Sequence, residues 1–264
     1  MKRIKWSRLY IALVLIILYI PIFYLVYYSF SSGQNMDRFG HFTWVHYQEL
    51  LADSRLLAIF LETILLALLS SLVATLIGTL GAIAVSQIKN KKIKQLLLTL
   101  NNVLMVSPDV IIGASFLIFF TALGIGLGFG SVLLSHIAFS IPIVVLMVLP
   151  RLNEFDYSLV DAARDLGASN WQVFSKIMLP GITPGILSGF FMALTYSLDD
   201  FAVTFFVTGN GFTTLSVEIY SRARQGINLE INALSTIMFI LVMIIVIGYY
   251  FISSRSGKKG GRLL

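Results

Sequence analysis

SLVDAARDLGASNWQVFSKIMLP, residues 158–180, decides how this chain is read. It is the longest interruption on its side of an otherwise apolar sequence. Ser158 followed by Asp161 has the spacing of a capping box, so a short helix is expected to start there. Gly167 suits the left-handed residue that closes such a helix. Ser169 followed by Gln172 repeats the capping-box spacing and starts a second helix at once. Trp171, Phe174 and Met178 recur at three and four residues and give that helix an apolar face. Pro180 is expected to end it. The expected product is helix, Gly turn, helix: an elbow on a membrane surface.

The membrane follows from composition. The 264 residues are 57% hydrophobic and only 12% charged. A soluble domain of this length carries about twice that charge. Six apolar runs leave no stretch long enough for a separate soluble domain, so one transmembrane domain over residues 1–264 is expected. With no Cys, disulfides, thiolate metal sites and Cys nucleophiles are excluded. No G-x-x-x-x-G-K-[ST] occurs, so ATP is not bound here through a P-loop. His41 and His46 share a loop but lack further ligands at metal-type spacing, and no metal site is expected. His136 is expected to be packed or bonded to backbone. No Ser/His/Asp set assembles, so no catalytic residues are assigned.

The runs are placed at about 9–30, 57–87, 96–123, 131–149, 184–207 and 233–254. Each is long enough to span a bilayer core of about 30 Å. The third is interrupted by Pro108. The first follows a basic flank, as a signal peptide does, but it is too long for one and lacks a small-x-small site, so it is read as a retained helix. Net charge is +6, and its placement sets orientation. With both termini cytoplasmic, the inner segments carry four Lys/Arg before the first run, four at 89–94, three in or beside the elbow (Arg151, Arg164, Lys176) and four in the tail. The outer loops carry Arg38, Arg55, Arg222 and Arg224. This positive-inside bias puts the elbow in the cytoplasm. It also explains the Lys cluster at 89–94 by topology and anionic lipid rather than nucleic acid.

The second run carries Ala67, Ser71, Ala74, Gly78 and Ala82 on one stripe, the spacing that lets helices approach closely. Thr183 is expected to cap the fifth run with Pro184 at its first position. Gly185 and Gly189 are read as packing positions first and gate positions second.

Four acids lie inside the runs: Glu62, Asp109, Asp199 and Asp200. Carboxylates are costly in lipid and usually face a cavity or a partner. At about 1.5 Å per residue, all four fall in the outer half of the membrane. No basic residue lies within a run to neutralise them. Tyr196 and Phe201 flank the Asp pair, and aromatic faces favour ammonium groups. A cationic cargo bearing amines fits this lining. The alternative is that some of these acids cap broken helices. Consecutive residues point about 100° apart, so one of the Asp pair at most is expected to face a cavity.

The elbow resembles the loop of the ABC-importer permeases, whose pattern is Glu-Ala-Ala, three residues, Gly, nine residues, Ile-x-Leu-Pro. Here it reads Asp161-Ala162-Ala163, Gly167, Ile177-Met178-Leu179-Pro180, with Asp for Glu as the one departure. Ser107-Pro108-Asp109, Ser197-Leu198-Asp199-Asp200 and Phe206-Val207-Thr208-Gly209 look like spermidine/putrescine permeases of the PotC type. Iron, thiamine and phosphonate permeases are relatives of the same pattern. The resemblance implies an all-α, six-span transmembrane domain of a type I ABC importer in a bacterial inner membrane. It implies that Asp161, Ala162, Ala163, Asp165, Gly167 and Ala168 form a coupling helix on a cytoplasmic ATPase dimer, which binds ATP and Mg. It implies two further partners: a second permease of the PotB type and an extracytoplasmic polyamine-binding protein. Asp199, Asp200, Asp109, Glu62 and Tyr196 are the expected substrate pathway. A self-contained secondary transporter would need matched broken helices in two halves, and no such match is visible. An intramembrane enzyme lacks a catalytic set.

Overall fold

The computed structural model describes residues 6–33, 36–225 and 229–260, with Ser7, Gln225 and 251–260 by backbone alone. Most of the basic flank at 1–5 and Arg262 of the tail lie outside the described residues. The described chain is helical apart from its loops and one isolated bridge between Ser31 and Phe42. Among the described residues five helices are long and apolar enough to cross a membrane, and a bent pair makes a sixth crossing if counted as one. By its internal contacts the chain divides into two compact units, 1–58 with 218–243 and 59–217 with 244–264.

The first unit opens with α1, Trp6–Tyr28, whose length is almost wholly exposed apolar surface. An aromatic cluster follows it. Phe30 stacks on Phe42 and Tyr47, and Trp44 meets Phe30 edge-on. His46 bonds through Nε2 to the Ser31 carbonyl at 3.0 Å, and His41 Nδ1 lies 2.8 Å from Ser32 Oγ. Both imidazoles therefore serve the loop. The helix α2, Val45–Ala52, leads to a charge network. Glu218, nearly buried, meets Arg55 at 3.0 Å and Arg222 at 2.8 Å, and Arg222 also reaches Glu230 at 3.2 Å.

The second unit is built around close helix approaches that small residues permit. Its elements are most of α3 (Ser54–Ser86), then α4 (Lys91–Val106), α5 (Asp109–Ala122), α6 (Phe129–Asn153), α7 (Ser158–Asp165) and α8 (Asn170–Val173). They are followed by a π segment (Phe174–Met178), α9 (Leu179–Asp199) and α10 (Ala202–Val207). The helix α11, Leu215–Gln225, begins in this unit, and α12, Leu229–Gly260, ends in it. Val144 of α6 is the pivot. A Cβ on Gly78 of α3 would stand 2.7 Å from Val144 Cβ, and one on Gly189 of α9 would stand 3.2 Å from Val144 Cα. Gly185 approaches the Met147 carbonyl in the same way, at 2.9 Å. The stripe Ala67, Ser71, Ala74, Ala82 is buried, as the small-residue spacing requires. Gly185 and Gly189 of α9 both serve helix packing.

Several expected boundaries differ. The third run is not one rod: α4 and α5 meet at a 103° bend across Ser107 and Pro108. Ser107 is extended (φ −70°, ψ 140°), the region that the residue before a proline prefers. The fifth run is likewise broken, because Asp200 takes an extended conformation (φ −64°, ψ 120°) between α9 and α10. Pro180 does not end the second elbow helix. The chain runs helically from Asn170 to Asp199, and the π segment ends two residues before the proline, at Met178. A proline lacks the N–H owed to the carbonyl four residues back and crowds it, and a π turn at that place relieves both. Thr183 is no cap. It lies mid-helix and donates its hydroxyl to the Leu179 carbonyl at 2.7 Å, while Pro184 sits inside α9.

Candidate functional site

Two places in the second unit gather the residues that sequence singled out. The first is the elbow. Its opening cap is Asp156, whose Oδ1 accepts the Ser158 N–H at 3.0 Å; the Ser158 side chain makes no cap. An Asp two residues upstream forms this turn with its own backbone, which displaces the expected Ser158–Asp161 box. The Ser158 hydroxyl first, and then its N–H, hold the Asp156 carboxyl below its ordinary range. Gly167 then closes α7 with φ +81°. The Gly167 N–H goes to the Arg164 carbonyl at 2.9 Å and the Ala168 N–H to the Ala163 carbonyl at 3.0 Å, a Schellman closure. The Ser169–Gln172 capping box forms as expected, with both bonds present.

Inside the elbow, Val160, Ala163 and Val173 pack with Phe155, Ala168 and Ile177. Ala163 and Ala168 are thus internal supports. Asp161, Ala162, Asp165 and Gly167 face outward. So do large apolar residues: Leu166 is 89% exposed and Trp171 72%, with Tyr157 and Leu159 beside them. Trp171 was expected on the packed face of its helix. The face that packs is set instead by Val173 and Met178, and Trp171 turns outward. The elbow thus presents exposed apolar side chains beside its acids.

The second place is the break in the membrane helices. Gly113 of α5 lets that helix close on α10: a Cβ there would stand 3.1 Å from the Ala202 carbonyl. Asp109 lies one turn before Gly113, in the first turn of α5, where the helix dipole favours a carboxylate. The Tyr196 hydroxyl of α9 donates to Asp109 Oδ1 at 2.9 Å. Asp199 is three residues past Tyr196, on the same face, and exposed. Among the described residues neither Asp109 nor Asp199 has a basic partner within ion-pair distance. Beside this group the crease of α4 and α5 holds an apolar groove of about 590 Å³, lined by Leu104, Ser107, Ile111, Ser115 and Phe119 among others.

The other two acids are placed differently. Glu62 sits on the exposed side of α3 beside Leu61 and Leu65, and no hydrogen bond or ion pair joins it to Asp109, Tyr196 or Asp199. Asp200 is 9% exposed and turned inward. Its carboxylate accepts the Val203 N–H at 3.3 Å, the Thr204 N–H at 2.8 Å and the Thr204 hydroxyl at 2.7 Å. It caps α10. The sequence missed the hydroxyls that surround it. His136, fully buried, lies 2.6 Å from Ser197 Oγ through Nδ1 and 2.8 Å from Thr204 Oγ1 through Nε2. Ser197 also meets Ser70 at 3.0 Å. His136 is thus bonded to side chains rather than to backbone. The sequence signal was the polarity of LLSSL (68–72) and SLDD (197–200) inside apolar runs.

Comparison with known proteins places this geometry. Residues 74–256 match the family described as binding-protein-dependent transport system inner membrane component. The spermidine/putrescine transport system permease protein PotC of Escherichia coli K12 is 39% identical over 92% of this chain and 91% of that protein. PotC of Haemophilus influenzae is 36% identical over 94% and 96%. The putrescine transport system permease protein PotI of E. coli K12 is 33% identical over 97% and 94%. In fold, the chain superimposes on one from a bacterial ABC transporter that imports the acidic polysaccharide alginate (TM-score 0.73, 17% identity, covering 95% of this chain and 94% of that one). It also superimposes on a chain of the MetNI methionine transporter (TM-score 0.59, 20% identity, 77% and 99%). The chain belongs to the family of inner membrane components of binding-protein-dependent transport systems: it is the permease subunit of an ABC importer, and its ATP is bound by a partner ATPase.

Proposed function

We propose that this permease carries polyamines inward, with Asp109, Tyr196 and Asp199 on their path. The observation that carries the reading is the bond from Tyr196 to Asp109 across α9 and α5, with an exposed Asp199 one turn along. Two carboxylates without basic partners, set beside an aromatic ring, suit a chain of ammonium groups better than an anion or a neutral solute. The similarity to PotC and PotI points to the same cargo class. Asp200 and Glu62 have smaller parts in this reading, the first as a cap and the second as an acid at the edge.

The elbow at 158–180 is the docking piece for the cytoplasmic ATPase dimer. Outward-facing Asp161, Ala162, Asp165, Gly167 and Leu166 form its contact face, and Ala163 and Ala168 hold its shape. A second permease of the PotB type completes the pathway, and an extracytoplasmic polyamine-binding protein delivers cargo. Both termini are cytoplasmic. One domain spans 1–264 in this reading.

Uptake of labelled spermidine and putrescine by the reconstituted importer tests the cargo. Asp199→Asn is expected to cut the rate per assembled complex about tenfold or more, with assembly intact. Normal polyamine uptake by that variant, or stimulation of ATP hydrolysis only by a non-amine cargo, removes the cationic lining.

A further inference from the structure

The acids on the proposed path depend on a helix that stops at the right residue. A 21-residue helix such as α9 has no Gly or Pro at its end to stop it: Ser197, Leu198, Asp199, Asp200 and Phe201 all tolerate helix. Inside the segment the Asp200 cap on α10 favours the break, and a residue outside it adds a second hold. One imidazole reaches both sides of the break. His136 of α6 bonds Ser197 in the last turn of α9 and Thr204 in α10, and its Nε2 lies 3.5 Å from Asp200 Oδ2.

The directions of these bonds follow from their donors. The Thr204 hydroxyl gives its proton to Asp200 Oδ2. Toward His136 it can therefore only accept, so Nε2 carries a hydrogen. Nδ1 then faces Ser197 Oγ, which is in turn 3.0 Å from Ser70 Oγ on α3. The set ties α3, α6, α9 and α10 through one ring, and every member has a partner. Phe139 extends the link. One turn along α6 from His136, its ring centroid is 4.9 Å from the imidazole and 5.1 Å from the Tyr196 ring, edge to face. Tyr196 is the residue that holds Asp109. An unbroken line of contacts thus runs from the buried imidazole to the exposed carboxylate.

We infer that His136 is a positioning residue for transport, holding the α9–α10 break open so that Tyr196 and Asp199 face the path. The inference rests on the pathway reading above. His136 touches no cargo; it sets the direction of the residues that do. Removing its hold lets α9 and α10 realign toward a continuous helix, which rotates the last turn of α9 away from α5.

The test uses the whole importer with its partner subunits in proteoliposomes, with labelled spermidine as probe. His136→Gln is expected to lower the maximal uptake rate per assembled complex about tenfold, the effect of one lost buried hydrogen bond at a site where orientation limits rate. The half-saturating concentration and the ATP hydrolysis stimulated by the binding protein should change less than about twofold. Thr204→Val, which removes only the α10 side of the lock, is expected to act in the same direction. It serves if His136→Gln does not assemble. The double variant His136→Gln/Asp199→Asn should be no slower than Asp199→Asn, since residues acting through one step are not additive. If Asp199→Asn is slow but His136→Gln and Thr204→Val transport normally per complex, the positioning role is overturned and the pathway stands. If only the amount of assembled complex falls, the role is purely structural and the inference also fails. If Asp199→Asn itself transports normally, the pathway reading fails and takes this inference with it.

Discussion

Gly167 offers a substitution series in which the chain's own strain and contact with a partner can be told apart. Its φ is +81°, where an L side chain costs about 1–2 kcal/mol. That corresponds to roughly a 5- to 30-fold shift against the closed elbow. Yet a Cβ at this position meets nothing within 4 Å. Within the chain, therefore, the whole cost is conformational. Gly167→Asn keeps access to the left-handed region while adding a side chain; Gly167→Ala adds little bulk but resists the conformation; Gly167→Val does both.

The assay is ATP hydrolysis by the reconstituted importer, stimulated by its loaded binding protein, with the amount of co-purified ATPase as a second reading. If the left-handed closure alone matters, Asn stays near wild type, Ala falls about 5- to 30-fold and Val falls further. If a docked partner occupies the open space over Gly167, Asn falls with the others, although its backbone is content. Full stimulation in all three would refute the reasoning, because neither the Schellman closure nor a partner surface would then depend on this position.

Two further substitutions test the frame. Gly78→Ala should destabilise the solubilised protein by about 1–3 kcal/mol, since its Cβ would meet Val144 at 2.7 Å. Gly126→Ala, with nothing within 4 Å, should leave thermal unfolding unchanged; equal effects would mean that α3 and α6 do not approach as described. Asp156→Ala should weaken elbow docking and Asp156→Asn should keep it, as judged by co-purification with the ATPase. The sign of the pH effect follows from the lowered folded pKa. The cap is fully present above the ordinary carboxylate pKa of about 3.9 and is lost as pH falls through the lower folded value. Docking should therefore be insensitive to this group from about pH 5 upward.

How much of this was legible depended on whether the signal was local. The Ser169–Gln172 box and the Gly167 closure each involve a few adjacent residues, so their chemistry is complete in the sequence. The stripe from Ala67 to Ala82 was legible for a related reason, because its period matches the helix that carries it. Prolines 180 and 184 misled. In water the first is a fair stop signal and the second a fair first residue of a new helix, but in an apolar setting one helix is kept, since every freed backbone group would go unsatisfied in lipid. The π segment that accommodates Pro180 has no sequence mark. The lock around His136 was hidden because residues 70, 136, 197, 200 and 204 share no period; only packing brings them together. Periodicity placed Asp199 and Asp200 about 100° apart but could not say which turns inward. The extended ψ at Asp200 decides that.

The two candidate places are not independent, because one helical stretch carries both. From Asn170 in the elbow to Asp199 at the break the chain is helical for 30 residues, about 45 Å of rise. Its compliance is uneven. The π segment, Pro180 and Pro184 lie within the first half, where backbone hydrogen bonding is interrupted, and the far half packs through Gly185, Gly189 and Ala193 against α6. Beyond Asp199 the helix is cut by an extended residue that an imidazole on α6 holds in place. A push at the elbow therefore meets a soft joint, then a stiff segment, then a latched end. In such a rod small tilts at the elbow become rotations at the latch, where Tyr196 holds Asp109. In the pathway proposed above, a rotation of the last turn of α9 moves Tyr196 and Asp199 together relative to Asp109. The same geometry explains why α9 contains prolines near one end only: a rod flexible throughout would dissipate the motion, and a rod stiff throughout would tear its packing on α6.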